Sequence, residues 1–339
     1  MHYTPQELRN TCKSFLIKEH AMAHSWWQCM KSIFGMNNGN GRRSLRPAIR
    51  KRPLVTERQD NRTRKLTPLL TIRLSPESLA GDLQRTAGGR SGPAKTAEQV
   101  RLEWYGMTDV GSVRDHNEDS FFCTGIEDTG LFIVADGMGG HDGGEVASRL
   151  AVETVCNELR ETAKREKDPI ALIEKAVIAA NKAVIREGNS KGSNMGTTLG
   201  VALLSEGGAY IANVGDSRAY WIKNGSISQV TEDHSLVAKL VAAGKITKEE
   251  ARTHPKSNLL YRTIGSDENV KVDTYHLDLE KGGALLLCSD GLWGEVRDED
   301  IHRACMAEKD LKAVCGRLVK MANDSGGKDN ITVVAVRVM

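Results

Sequence analysis

The 339-residue chain has no apolar run of the ~18–20 residues that a bilayer-spanning helix needs, which argues against a transmembrane segment within it. Its seven cysteines are odd in number and include no Cys-x-x-Cys pair, so free thiols in a reducing compartment are expected, not a disulfide framework. The nine histidines are scattered without ligand spacing, and with no paired cysteines a zinc site is not expected either. The first residues lack the compact charged-then-apolar layout and small-residue cleavage site of a secretory signal, and a cytoplasmic location is the expectation. No regular strand–helix alternation runs through the chain, which argues against a doubly wound dinucleotide-binding sheet.

The sequence divides in two. A net charge of +3 conceals eighteen Lys and Arg against seven Asp and Glu in residues 1–100, and an acidic balance in the rest. Residues 1–100 carry only short apolar patches and no sustained period, which reads as a basic extension, disordered or weakly ordered. Such an arm suits acidic partners, a membrane surface or nucleic acid.

From about Arg101 periodic apolar elements arrive with clear punctuation. Val146, Leu150, Ala151, Val155 and Leu159 share one helical face, starting near Gly144. Asp168-Pro169 supplies an N-cap and a first-turn proline for a second helix, with Gly188 as its stop. Strand-like runs follow at 197–204, 209–215 and 218–222, the last joined to "SISQVT" through a Lys223-Asn224-Gly225 hairpin. Leu236–Ala243 and Thr247–Arg252 read as short helices, the second with a Thr247/Glu250 capping box. Strands at 272–278 and 284–288, helices near 298–307 and 310–322, and a strand at 331–338 complete the order. Helix pairs interleaved with hairpin-joined strands imply an α+β fold, with sheets packed face to face under outer helices.

The stretch "VADGMGGHDGGE" (134–145) places five glycines between an apolar strand and a helix, the order of many phosphate-binding loops. It lacks the Lys-Ser/Thr of a P-loop and the third glycine of a dinucleotide turn, and Asp136 at the strand exit would repel a pyrophosphate. The acids recur instead. Asp290 follows "ALLLCS", Asp329 precedes the last strand, Asp216 follows another strand, and Glu118 and Asp119 stand near the start. One acid at a strand end is usually a turn or cap residue. Five such sites in one domain suggest converging carboxylates, and oxygen-rich clusters suit Mg²⁺ or Mn²⁺. Two such ions can share and acidify a water aimed at phosphorus. Arg114 offers a bidentate fork for a phosphate, or a surface ion pair with Asp115 or Glu118.

In order, "GSVRDHNEDS" (111–120), "VADGMGGHDGGEVAS" (134–148), "GTT" (196–198), "NVGDSRAY" (213–220), "TEDHS" (231–235), "LYRTIG" (260–265), "LCSDGLWG" (287–294) and "GGKDNIT" (326–332) resemble the metal-dependent protein phosphatases, also called protein phosphatase 2C. The resemblance covers about 105–338. It implies a central β-sandwich of two antiparallel sheets flanked by pairs of helices, spanning 101–339. It also implies hydrolysis of phosphoserine and phosphothreonine on proteins by a binuclear Mn²⁺/Mg²⁺ centre, opposing a Ser/Thr kinase, with no covalent phosphoenzyme. By matching position, Asp136 would bridge two metals and the Gly137 carbonyl would ligate one. Asp290 and Asp329 would hold the first metal, and Glu118 the second, directly or through water. Asp119 would support that shell, Arg114 would grip the phosphate, and Asp216 would lie near a third, weaker metal site. The stretch at about 235–260 corresponds to a variable flap beside the cleft.

Two positions depart from the pattern. Met138 stands where animal members often carry a histidine proposed as general acid, and His141 reads as a turn residue. Gly294 stands where some relatives carry another Asp of the third site, for which Glu295 is the nearest substitute. Two rival readings are a non-enzymatic phosphoprotein binder, against which the intact acidic set argues, and an adaptor whose functional part is the basic arm. No nucleic acid is expected for the 101–339 domain.

Overall fold

The computed structural model describes residues 101–140, 143–163, 165–205 and 207–339. The extension expected over 1–100 and the turn expected at His141 lie outside the described residues.

The chain order begins with β1 (Leu102–Asp109), β2 (Asp119–Ile126) and β3 (Thr129–Gly139), then α1 (Gly143–Thr162) and α2 (Pro169–Lys191). Next come β4 (Met195–Thr197), β5 (Leu199–Ser205), β6 (Gly208–Val214), β7 (Arg218–Lys223) and β8 (Ser226–Gln229). They are followed by α3 (Leu236–Ala242), α4 (Lys248–Arg252), β9 (Asp273–Asp278), β10 (Ala284–Cys288) and α5 (Asp290–Trp293). The described order ends with α6 (Asp298–Ala307), α7 (Leu311–Asp324) and β11 (Ile331–Val338). Residues 101–158 and 168–339 belong to one unit. Among the described residues no helix is long and apolar enough to cross a membrane.

Two antiparallel sheets carry the fold, as expected from the sequence. One runs β1-β11-β10-β7-β8; the other runs β2-β3-β5-β6-β9, with β4 paired to β3. Side chains alternate across a strand, so each buried strand serves two layers. In β11, Val334, Val336 and Val338 join Phe132, Val134, Ala202 and Ile211 between the sheets. Val333 and Ala335 point the other way and pack with Ile301, Val314 and Leu318 of α6 and α7. On the second sheet α2 lies against β5 and β6.

Local signals explain most element ends. Asp168 caps α2 by accepting a hydrogen bond from the Ile170 amide (3.0 Å), with Pro169 in the first turn. Asn224 (φ 53°) and Gly225 (φ 75°) form the two-residue turn between β7 and β8. Thr247 and Glu250 make the reciprocal capping box of α4. Three expectations need correction. Gly188 does not stop α2, which continues to Lys191 and ends on Gly192 in the left-handed region (φ 60°). Gly188 instead lets the returning chain pack close, its carbonyl accepting from the Ser193 amide (3.0 Å). The run at 197–204 is broken at Thr198 into β4 and β5, because the Thr198 hydroxyl leaves the ladder's pattern to receive the Asp136 amide (2.9 Å). In α1, Ala147, Val152 and Cys156 are buried beside Ala151 and Val155, whereas Val146 and Leu150 are only half-buried. Leu159 of the expected face is buried as well, so the buried face keeps Ala151, Val155 and Leu159 and extends to one side of them.

Candidate metal centre

The sheet registers bring the acids to the same ends of their sheets. Asp119 opens β2 directly opposite Asp136 on β3. Antiparallel pairing through β5 brings the end of β6, and Asp216 just beyond it, to the same end. In the other sheet, β10 ends before Asp290 as β11 begins after Asp329. Asp136 is not at the strand end, as the sequence suggested. β3 runs three residues further, and Gly137, Met138 and Gly139 pair with β4. The Asp136 carbonyl is fixed by the Thr198 amide and the Thr197 hydroxyl, both at 2.8 Å.

Arg114, Glu118, Asp136, Asp216, Asp290 and Asp329 line one cleft of about 210 Å³. Gly137 and Met138 line it too, and Asn258 and Leu260 reach it from the stretch between α4 and β9. Asp119 lies behind the cleft wall. One of its carboxylate oxygens accepts from the Ser289 hydroxyl (2.8 Å) and the Thr332 hydroxyl (2.6 Å). Gly294 and Glu295 do not line the cleft; the Glu295 carboxylate pairs with Lys328 at 3.2 Å.

The glycines around Asp136 serve backbone packing. A side chain at Gly137 would run into the carbonyls of Glu118 and Gly144, and one at Gly144 would meet the Glu118 carboxyl carbon at 2.7 Å. The Glu118 carboxylate receives the Gly144 amide at the start of α1, where the helix dipole favours an anion. Exchanging Gly144→Ala is therefore expected to push Glu118 away and cost about 1–3 kcal/mol, checked by urea unfolding. An unchanged midpoint would contradict this packing.

Asn330 is a hub that the sequence did not single out. Its side-chain oxygen accepts from the Glu118 amide (2.8 Å), and its side-chain nitrogen donates to the Val110 and His116 carbonyls (both 2.9 Å). It thereby shapes the 110–118 loop that presents Arg114 and Glu118. The signal available was an amide side chain next to an acid at a strand start, which is too common to weigh alone. Ser289, Thr198 and Thr332 hold the carboxylate-bearing strands through hydroxyls that no spacing in the sequence marks out.

The electrostatics of the cleft are those of anions short of a cation. Burial, then the charges of Asp119, Asp290, Asp216 and Asp329, hold Asp136 well above the ordinary carboxylate range. Burial and Asp290 do the same to Asp216, against the pull of Arg218. Burial and Asp329 push Asp290 up to about 6, although a hydrogen bond with Asp136 opposes the rise. Burial pushes Asp119 up to about 7, despite its two hydroxyl partners. One carboxylate oxygen each of Asp119 and Asp290 is buried with no hydrogen-bond partner among the described residues. Buried anions without partners are costly unless a cation meets them. Among the described residues no three acids or imidazoles are already closed to ligand spacing. Arg114 supplies part of the missing charge. It pairs with Asp329 (2.8 Å), not with Asp115 or Glu118. Burial lowers its pKa, but Asp329, Glu118 and Asp136 outweigh that and raise it.

The donor set fits hard divalent cations: carboxylates with spare oxygens, a backbone carbonyl, and no cysteine thiolate or imidazole in the cleft. A β-sandwich holding such an anionic cleft at its strand ends is the frame of a metal-dependent phosphatase. The chain belongs to the protein phosphatase 2C family, whose model matches residues 112–331. It is 38% identical over 234 residues to the serine/threonine phosphatase stp of Listeria monocytogenes, covering 68% of this chain and 93% of that protein. It is 36% identical to protein phosphatase PhpP of Streptococcus pneumoniae, over 68% of this chain and 95% of that one. Among solved structures, the Mycobacterium tuberculosis serine/threonine phosphatase PstP/Ppp superposes with a TM-score of 0.63 at 34% identity, covering 70% of this chain and 98% of that one. The catalytic domain of PstP in complex with two manganese ions gives 0.64 at 33% identity, over 71% and 99%.

Proposed function

We propose that residues 101–339 form a catalytic domain that hydrolyses phosphoserine and phosphothreonine on proteins, with two Mn²⁺ or Mg²⁺ ions held in the carboxylate cleft. Family membership and the phosphatase relatives support the reaction, and the relative solved with two manganese ions supports the cofactor. The observation that carries the reading is the set of buried carboxylates with partnerless oxygens around one cleft. Asp136, the Gly137 carbonyl, Asp290 and Asp329 would hold the ions, with Glu118 completing the set and Asp119 bracing it from behind. Asp216 would serve a third, weaker ion; the pairing of Glu295 with Lys328 argues against Glu295 as a substitute at Gly294.

Ions bound there lower the pKa of water and neutralise charge on the phosphate. The chain's own groups do the positioning. The guanidinium of Arg114 is half-exposed at the cleft and presents a planar fork that matches two phosphate oxygens. Engaging a phosphate would draw Arg114 off Asp329 and free that carboxylate. Asn330 fixes the loop on which Arg114 rides, so the fork is held in register with Glu118. Met138 has no proton to give, so protonation of the leaving serine or threonine oxygen falls to another group. Positioning and charge neutralisation carry the rate. The activity would oppose a cytoplasmic Ser/Thr kinase, and the 235–260 stretch would act as a flap over the cleft.

The test is hydrolysis of a phosphothreonine peptide with Mn²⁺, followed by EDTA and re-addition of Mn²⁺. Activity is expected to fall by about a thousandfold on chelation and to return with the metal. Hydrolysis that persists under full chelation contradicts the reading.

A further inference from the structure

A second cavity among the described residues is larger than the carboxylate cleft. A groove of about 500 Å³ lies on the other side of the 235–261 stretch, between α3 and α4 above and the β7–β8 edge below. It shares no lining residue with the cleft. Ser257 and Tyr261 face the groove, whereas their neighbours Asn258 and Leu260 face the cleft. The same stretch is thus a wall of two cavities.

The groove has an apolar body and a cationic mouth. Val237, Ala238 and Val241 of α3, Ala251 of α4 and the Trp293 indole give it apolar surface. The charges at its floor are already spoken for. Arg218 chelates Asp233 (2.7–3.1 Å) and lies 3.6 Å over the Trp293 ring. Arg252 reaches from α4 to the carbonyls of Trp293 (2.5 Å) and Gly294 (3.3 Å). Lys239 and Lys248 differ: among the described residues neither ammonium has a carboxylate partner, and Lys239 rests only on the Tyr261 ring at 3.4 Å. Set against the single free carboxylate of Glu232, the unpaired charge at the mouth is positive.

We propose that this groove is a second binding site, for a small organic anion with an aromatic body, and that its occupant holds the 235–261 stretch in place. The volume falls in the range of small-molecule sites, about 300–1,000 Å³. The indole and the aliphatic wall take the ring system, and Lys239 and Lys248 take the acid group. The link to the neighbouring cleft is short. Trp293 closes the four-residue helix that Asp290 opens, and its indole N–H donates to the Asp216 carbonyl (3.0 Å). An occupant therefore touches α3, α4 and the element between Asp290 and Asp216 at once.

The experiment is calorimetric titration of the full chain with naphthalene-1-sulfonate, without added metal, alongside hydrogen exchange of the 236–252 amides. Wild type is expected to show one saturable site, with those amides exchanging at least about threefold more slowly when it is filled. Lys239→Glu with Lys248→Glu should weaken binding about tenfold, and Ala251→Phe, which fills the groove, should abolish it. Both variants should keep the wild-type far-ultraviolet circular dichroism and a cooperative thermal transition, which shows that they fold. Heat that is unchanged in both variants, or no saturable heat in wild type, overturns the proposal. So does heat that inorganic phosphate removes while the groove variants leave it intact, which would assign the anion to the carboxylate cleft.

Discussion

Replacing Asp136→Asn is expected to lower phosphopeptide hydrolysis by about a thousandfold or more while making the metal-free protein more stable. The two effects have one origin. Asp136 is surrounded by Asp119, Asp290, Asp216 and Asp329, which together with burial hold its pKa far up. An acid whose pKa is raised by folding binds a proton more tightly in the native state, so at neutral pH its ionisation destabilises that state. Asparagine keeps the shape and removes the charge, and a gain of roughly 1 kcal/mol, about 2–4 °C in melting temperature, is expected at pH 7.5. The gain should vanish below about pH 4, where the carboxyl is protonated in folded and unfolded chains alike. The amide also removes one charge from the set that would hold divalent ions, and with it the activity. Calorimetric melting of both proteins without metal, and their rates with Mn²⁺, check the pair. A variant that keeps the wild-type rate would remove Asp136 from the chemistry, whatever its stability.

The second large effect is a pH-dependent response to metal. Asp119 and Asp290 rise from the usual 3.8 to about 7 and about 6. Between about pH 4 and 7 the folded chain therefore binds more protons than the unfolded one, and metal-free stability falls as pH rises through that window. The acids are close enough to titrate as a group, so one broad slope is expected, without separate steps. Mn²⁺ would bind the cluster in its ionised form, so its stabilisation should grow with pH over the same range. At a free concentration of about 100 times its dissociation constant, the gain at pH 7.5 is about 2.7 kcal/mol, or about 5–10 °C. At pH 5 most of that difference should be gone. A melting temperature equally responsive to Mn²⁺ at both pH values would mean that the ion binds elsewhere.

Much of this molecule is legible from its residues because local and tertiary preferences agree. The near-continuous apolar run "ITVVAVRV" supplies both faces of β11, and Asn224-Gly225 and Thr247/Glu250 do what their local chemistry dictates. Legibility fails where tertiary partners decide. Gly188 has the composition of a helix stop, yet the stop falls at Gly192, whose left-handed φ lets the Ser193 amide close back onto the Gly188 carbonyl. Thr198 has strand propensity, yet its hydroxyl serves Asp136 and Ser217 (2.7 Å) and the strand breaks there. The four-residue α5 is too short to show a period, although it carries Asp290. For the cleft, spacing and strand-end placement singled out the acids. The partner of Arg114 and the role of Asn330 were not readable, because both depend on residues more than 200 positions away.

That separation has a consequence for how the protein comes into being. Asn330 shapes the loop before β2 from the far end of the chain, and β1 sits at its sheet's edge with β11 as its ladder partner. A ribosome delivering this polypeptide would therefore have to add more than 200 residues after β1 before that strand met its ladder partner. Such long-range closures fold slowly. The cleft is thus among the last features to take shape, and a nascent chain stalled short of β11 carries its acids but not the loop geometry that presents them.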